Sequence, residues 1–488
     1  MRKTAELLKE LRRIRARVRK QAERLLAGWD DKIRRPEFHD SARNLAEYIV
    51  LRRIDLRKVQ DSLTAFGLSS LGRLEGRVMA NLDAVIAALA AIADGSERPP
   101  FPDRAHMFHG QTILKVNADR LFGARAGARQ VRIMVTLASE AAEDRALIDT
   151  FVRHGMDVAR INCAHDDADA WAAMARNVRT SAAAAGRRVK ILMDLAGPKC
   201  RAEQVRADKS YKRLRRGDRL FLACDSFRSL KKHPAQAICS IPSVHDHLVV
   251  GAPVWFDDGH AGGFVEHIDK RGADILITQA PPKGVRLKAD KGLNFPETDL
   301  GIAPLTDKDL SDLDFVAKHA DMVGYSFVQS ADDIALLQSE LAQRLGLKAK
   351  RIGLVAKIET PRAVRNLPDI IVQAAGVQPF AVMIARGDLG VEIGFIRLAE
   401  MQEEMLWLCE SAQVPVIWAT EVLGNLIKTG MPTRGEMTDA AMSARAECVM
   451  LNKGPYVADA EEILNALLVR MAGHQNKKSP RLRALKSW

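Results

Sequence analysis

From about residue 130 onward, short apolar runs rich in β-branched residues alternate with segments of helical periodicity. The runs fall at 132–137, 157–163, 189–195, 321–327, 352–358, 380–385, 415–419 and 448–451. Eight such runs, mostly joined by helical connections, predict an α/β chain whose parallel strands close into a (β/α)8 barrel of the TIM type. The alternation breaks once. Between the third and fourth runs, roughly 200–286, strand-like pieces at 219–223, 248–256 and 274–278 are separated by Gly and Pro. That insert predicts a small β-barrel lid domain budding from the main barrel.

The first 115 residues have a different rhythm. Leu7, Leu8, Leu11, Ile14 and Val18 recur at helical spacing, and 78–92 forms a second apolar helix closed by Asp94-Gly95. The stretch 96–103, with three prolines, reads as a linker. The expected organisation is a helical N-terminal extension at 1–115, the first part of the barrel at 125–199, the inserted lid at 200–286, the rest of the barrel at 287–472, and a basic tail at 473–488.

Composition narrows the classes. At 47% apolar and 28% charged residues the chain has a globular balance, with no run long enough to span a bilayer and no signal-peptide core. Six cysteines lie far apart without CxxC spacing, which argues for reduced thiols in the cytoplasm rather than disulfides or zinc. The formal charge of +13 gathers in 2–24 and in 477–486. A solvated basic helix and a frayed tail explain it more simply than nucleic acid or membrane would, and aromatic stacking platforms are scarce.

Polar groups collect where the strands end, the side on which barrel enzymes assemble their sites. The second run ends in Arg160 and Asn162, and the third in Asp194 followed by Gly197-Pro198-Lys199. The fourth ends in Ser326, the fifth in Lys357 and Glu359, the sixth in Arg386-Gly387-Asp388, the seventh in Thr420, and the eighth in Asn452-Lys453. Glu359 and Asp388 end neighbouring strands, and two carboxylates with little else suit Mg²⁺. Either could instead be an ion-pair partner of Lys357 or Arg386. The glycines of Ala385-Arg386-Gly387-Asp388-Leu389-Gly390 admit close backbone approach, and a following helix N-terminus would favour an anion. Lys357, with Arg160 and Lys199 across the mouth, completes the outline of a polyanion site.

These residues resemble the pyruvate kinase family. Gly155-Met156-Asp157-Val158-Ala159-Arg160-Ile161-Asn162 and Leu192-Met193-Asp194 with Gly197-Pro198-Lys199 are similar to its second and third barrel strands. The likeness continues through Lys291-Gly292-Leu293-Asn294-Phe295-Pro296, Ala356-Lys357-Ile358-Glu359, 383–390, Ala419-Thr420-Glu421 and Pro432-Thr433-Arg434-Gly435-Glu436, with Phe256-Asp257-Asp258-Gly259 in the lid. The resemblance implies phosphoryl transfer from phosphoenolpyruvate to ADP, giving pyruvate and ATP. Glu359 and Asp388 would hold Mg²⁺ or Mn²⁺, and Lys357 would stabilise the phosphoryl group and the enolate. Thr420 would assist protonation, and Ala385, Gly387 and Asp388 would receive the substrate carboxylate. Arg160 would meet the phosphate, with Asn162, His165 and Arg201 on the nucleotide side. A cytoplasmic homo-oligomer follows, with no nucleic-acid or membrane partner.

The sequence departs from that pattern in several places. Family members that need potassium hold it with Ser, Thr and Glu where Ala164, Leu195 and Lys199 stand here. The expectation is an enzyme that does not require K⁺, with Lys199, beside Asp194, supplying the monovalent charge. The eighth strand ends in Asn452-Lys453-Gly454-Pro455 instead of Ser-Gly-Glu-Thr, and the expectation is a member that lacks the family's terminal regulatory domain, for which there is no room after Leu467. A lyase or aldolase acting on pyruvate enolate, or a weakly active paralogue with a scaffold or sensor role, are the alternative readings.

Overall fold

The computed structural model describes residues 2–93 and 99–481. Eight parallel strands close a barrel: Arg132–Thr136, Val158–Asn162, Lys190–Asp194, Met322–Tyr325, Gly353–Ile358, Phe380–Ala385, Val416–Ala419 and Cys448–Leu451. The first strand pairs with both the second and the eighth, so no edge is left open. Nearly every strand residue is buried, because helices cover the outside and side chains fill the lumen. That two-sided burial is why the runs are continuously apolar instead of alternating.

The insert forms a second closed barrel of seven strands. Its strands alternate buried and exposed positions, as one-sided sheets do. Its strand Lys291–Asn294 pairs with Arg201–Ala207 and Pro253–Phe256, so this barrel continues past the boundary read at 286. Its own apolar core, around Leu222, Val254, Phe256 and Ile275, is separate from that of the main barrel.

Among the described residues, the N-terminal extension holds five α-helices: Arg2–Ala27, His39–Arg52, Arg57–Ala65, Val78–Ile92 and Arg104–Phe122. Leu7, Leu8, Leu11, Ile14 and Val18 are all buried along one face of the first helix, while Lys9, Arg12, Arg13, Arg17, Arg19 and Lys20 are exposed. The proposed stop at Asp94-Gly95 and the start of the linker lie outside the described residues. The fifth helix runs on past 115. Ala118, Leu121 and Phe122 pack with Met134, Leu192, Met322, Val355, Ile417 and Met450, so the end of this helix stoppers the barrel floor, opposite the strand ends.

The expectation of a frayed tail fails for its first part. Gln475–Asn476 and Ser479–Pro480 form a hairpin whose turn carries Lys477 with φ +54°. Lys477 Nζ lies 2.6 Å from Glu447 Oε1, and Lys478 pairs with Glu75 of the extension. Two turn lysines thus clip the tail between the barrel floor and the helical extension. Among the described residues, no helix is long and apolar enough to cross a membrane.

Candidate active site

The fifth strand puts Lys357 and Glu359 on one side, two residues apart, as its pleat requires. Lys357 Nζ lies 3.2 Å from Glu359 Oε1, donates to Ser326 Oγ at 2.7 Å, and stands 3.8 Å from Asp194 Oδ2. Ser326 in turn donates to the Leu195 carbonyl at 2.8 Å. One ammonium therefore draws together the ends of the third, fourth and fifth strands.

Asp194 is fully buried and held by Arg160, whose Nε donates to Oδ2 at 2.7 Å. Arg160 also reaches Thr136 Oγ1 at 3.2 Å, tying in the first strand. The other oxygen, Asp194 Oδ1, has no hydrogen-bond partner among the described residues. It is pressed against Gly324, where an added Cβ would sit 1.8 Å away. That oxygen faces backbone, leaving no room for a hydrated ion beside it.

Glu359 is buried, and its Oε2 accepts the Phe327 amide at 2.7 Å. Burial raises its pKa; Lys357 opposes that, and nearby Asp388 adds to it. Asp388 stands in the first turn of the helix Arg386–Ile393, which begins directly after the sixth strand. The helix start leaves amides at Arg386, Gly387 and Asp388 free of intrahelical partners. Gly387 is required by contact: a Cβ there would lie 2.8 Å from Thr420 Cγ2. Thr420 itself, at φ +72°, opens a left-handed stretch with Glu421 and Leu423 after the seventh strand.

Neither metal-type carboxylate is claimed by Arg386. Its guanidinium bonds Asp439, donates to the Ala419 and Thr420 carbonyls at 2.9 and 2.6 Å, and stacks on Trp418. It fixes the Thr420 loop beside Gly387. Asp439 carries no motif signal in the sequence.

Lys199 sits elsewhere than expected. Its ammonium lies 2.6 Å from Asp388 and 3.1 Å from Asp258 of the lid, while Asp194 is occupied by Arg160 and Lys357. Burial pulls the Lys199 pKa down, but the two carboxylates outweigh it and the net shift is upward, so the charge is permanent. The lid loop turns through Asp257, Asp258 and Gly259, all at positive φ, and rests on Val391. Asn294 donates to Glu392 at 2.9 Å, a second bridge from lid to barrel. Glu392 lies one helical turn beyond Asp388, a spacing that could have singled it out.

On the opposite flank, His165 is lowered in pKa by partial burial and by the neighbouring charges of Lys453, Arg201 and Arg160. Lys453, noted in the sequence as part of the eighth strand's polar end and of its departure from the family pattern, joins this cationic group. Arg201 also donates to the Asp290 carbonyl at 2.9 Å, and Asn162 Oδ1 accepts the Ala164 amide at 3.2 Å.

Could these residues hold a divalent metal? Glu359 and Asp388 offer hard oxygens on neighbouring strand ends, each already facing an ammonium. Among the described residues, no three His, Cys, Asp or Glu side chains converge as a complete metal cage. A two-carboxylate site that takes its other ligands from water and substrate suits Mg²⁺ or Mn²⁺.

A family model described as pyruvate kinase, barrel domain, matches residues 128–458. A pyruvate kinase from Geobacillus stearothermophilus is 30% identical over 349 residues, covering 70% of this chain and 57% of that protein. One from Thermococcus litoralis is 30% identical over 69% of this chain and 68% of its own length. A third, from Mycobacterium intracellulare, is 33% identical over 67% and 66%.

Proposed function

Since this chain belongs to the pyruvate kinase family, we propose that it moves the phosphoryl group of phosphoenolpyruvate to ADP, giving pyruvate and ATP. The observation that carries the proposal is the single lysine, Lys357, shared between Glu359, Ser326 and Asp194 at the barrel mouth. In this reading Glu359 and Asp388 would hold Mg²⁺ or Mn²⁺, which when bound would supply positive charge against the phosphate and the enolate. Lys357 meets the phosphoryl group in transit and the enolate that it leaves behind. Arg160, oriented by Asp194, approaches the phosphate from the second strand. The substrate carboxylate takes the free amides after Ala385, at Gly387 and Asp388. Thr420 stands over the carbon that gains a proton, and the proton comes through water.

ADP belongs to the flank of Asn162, His165, Arg201 and Lys453. That cationic flank favours a kinase over a lyase or aldolase on the same enolate, which would have no use for it. The lid, bridged to the barrel through Lys199 and Asn294, excludes water that would hydrolyse the transferring group. K⁺ is not required in this reading.

Pyruvate formation from ADP and phosphoenolpyruvate with Mg²⁺, followed by a coupled dehydrogenase, is the test. Glu359→Gln and Asp388→Asn should keep the fold and lose ~10²-fold or more in turnover, as for removal of a key electrostatic group. No turnover by the native chain, or more than about a tenth retained by either variant, counts against the assignment.

A further inference from the structure

We propose that a cleft of about 440 Å³ in the floor of the barrel, on the face opposite Lys357 and Glu359, binds a small phosphate-bearing anion. The proposal is independent of the reaction assigned above. Five cations line the cleft, Arg120, Lys190, Lys318, Lys348 and Arg351, against one carboxylate, Asp321. Asp321 is already engaged: it pairs with Lys190 at 3.1 Å and accepts the Ile191 amide at 2.9 Å. Arg120 lies 3.8 Å from Glu37, whose carboxylate is bonded to Arg35 at 3.1 Å. Lys318, Lys348 and Arg351 have no carboxylate partner among the described residues.

Basic residues in the last turns of helices have an ordinary use, offsetting the negative helix end. Three α-helices end at this cleft, Arg104–Phe122, Asp307–His319 and Ala331–Leu345, the last continued by the short 3-10 helix Gly346–Arg351. At about −0.5 charge each they account for roughly −1.5. Five cations against one carboxylate leave a formal excess of four, so about +2.5 stays uncompensated. A phosphate group carries roughly −1.5 to −2 at neutral pH. The charge left over therefore fits one or two phosphates, and the volume falls in the ~300–1,000 Å³ range of ligand sites.

The floor is apolar. Leu121, Met322 and Ile352 are buried there, and Leu121 and Met322 fill the space that a Cβ at Gly353 would need. Lys190, Met322 and Gly353 begin the third, fourth and fifth strands, whose far ends carry Asp194, Ser326, Lys357 and Glu359. Arg120 comes from the helical extension, so an anion here would join the extension to the barrel.

The test is calorimetric titration of the full chain with inorganic pyrophosphate in metal-free buffer. A Lys357→Met background weakens binding at the opposite mouth. In that background, Lys318→Glu with Lys348→Glu should weaken binding about tenfold or more, as expected when two charge-assisted contacts are lost. Lys231→Glu with Lys232→Glu, exposed on the lid and matched in net charge, should leave affinity unchanged. If the reversed pair fails to fold, Lys318→Ala with Lys348→Ala makes the same comparison. Equal affinity in the cleft and lid pairs overturns the proposal. So does no saturable binding below ~1 mM.

Discussion

Lys199→Glu should cripple the enzyme without making it responsive to potassium. In the native protein the ammonium lies 2.6 Å from Asp388 and 3.1 Å from Asp258. The two arms are unequal. Asp258 is 60% exposed, so solvent reduces that contact to ~1 kcal/mol or less. Lys199 and Asp388 are only 18% and 21% exposed, and breaking a shielded pair costs about 3–5 kcal/mol. Reversing the charge adds carboxylate repulsion, ~4 kcal/mol at ~4 Å for an effective dielectric of ~20, until the side chain swings away. The lid should therefore open and turnover should fall ~10²-fold or more. Scattering in solution reads the opening as an increase in the radius of gyration. Kinetics in tetramethylammonium and in potassium buffers of equal ionic strength read the cation response. The native enzyme should be equally active in both, because Ala164 and Leu195 offer no side-chain oxygen to a bound K⁺ and Asp194 Oδ1 is turned against Gly324. Strong K⁺ stimulation of the native enzyme refutes the reasoning, and so does a Lys199→Glu enzyme with normal turnover.

Two further outcomes test the frame around the site. Phe122→Ala should cost about 3–5 kcal/mol in urea unfolding, since it removes a fully buried ring from the stopper under the barrel; a loss below ~1 kcal/mol would mean the helix does not brace the floor. Glu461 is fully buried, neither of its oxygens has a well-aligned hydrogen-bond partner among the described residues, and burial pushes its pKa up to about 9, with Arg129 and the Met156 backbone opposing. Because the folded value is the raised one, the stability this proton supports is complete below about pH 4.5 and is lost as pH climbs towards 9. Glu461→Gln should thus match the native protein near pH 5 and exceed it by roughly 4 kcal/mol near pH 8, three pH units at ~1.4 kcal/mol each, and an unchanged difference across that range would contradict the assignment.

The barrel was legible because its strands are buried on both faces, which writes each as an unbroken apolar run with a polar end. The lid's last strand was not. Lys291–Asn294 holds only one large apolar residue, and it is a strand because Arg201–Ala207 and Pro253–Phe256 flank it, not because of its own pattern. Lys357 and Glu359 could be paired from spacing alone, since a pleat fixes the side on which residues two apart emerge. Lys199 could be assigned a charge but no address. Its partners Asp258 and Asp388 are 59 and 189 residues away, on different barrels, and only closure of the lid brings them together.

The tail shows the same limit from the other side. A stretch of lysines and arginines at a chain end reads as solvated, because desolvating an unpaired ammonium costs several kcal/mol. Lys477 and Lys478 escape that cost only because Glu447, at the floor of the barrel, and Glu75, in the extension, are waiting at matching positions. Charge along a sequence counts its carriers. Which of them are spent on one another, as at the tail, and which stay unspent, as around the floor cleft, is decided by the fold.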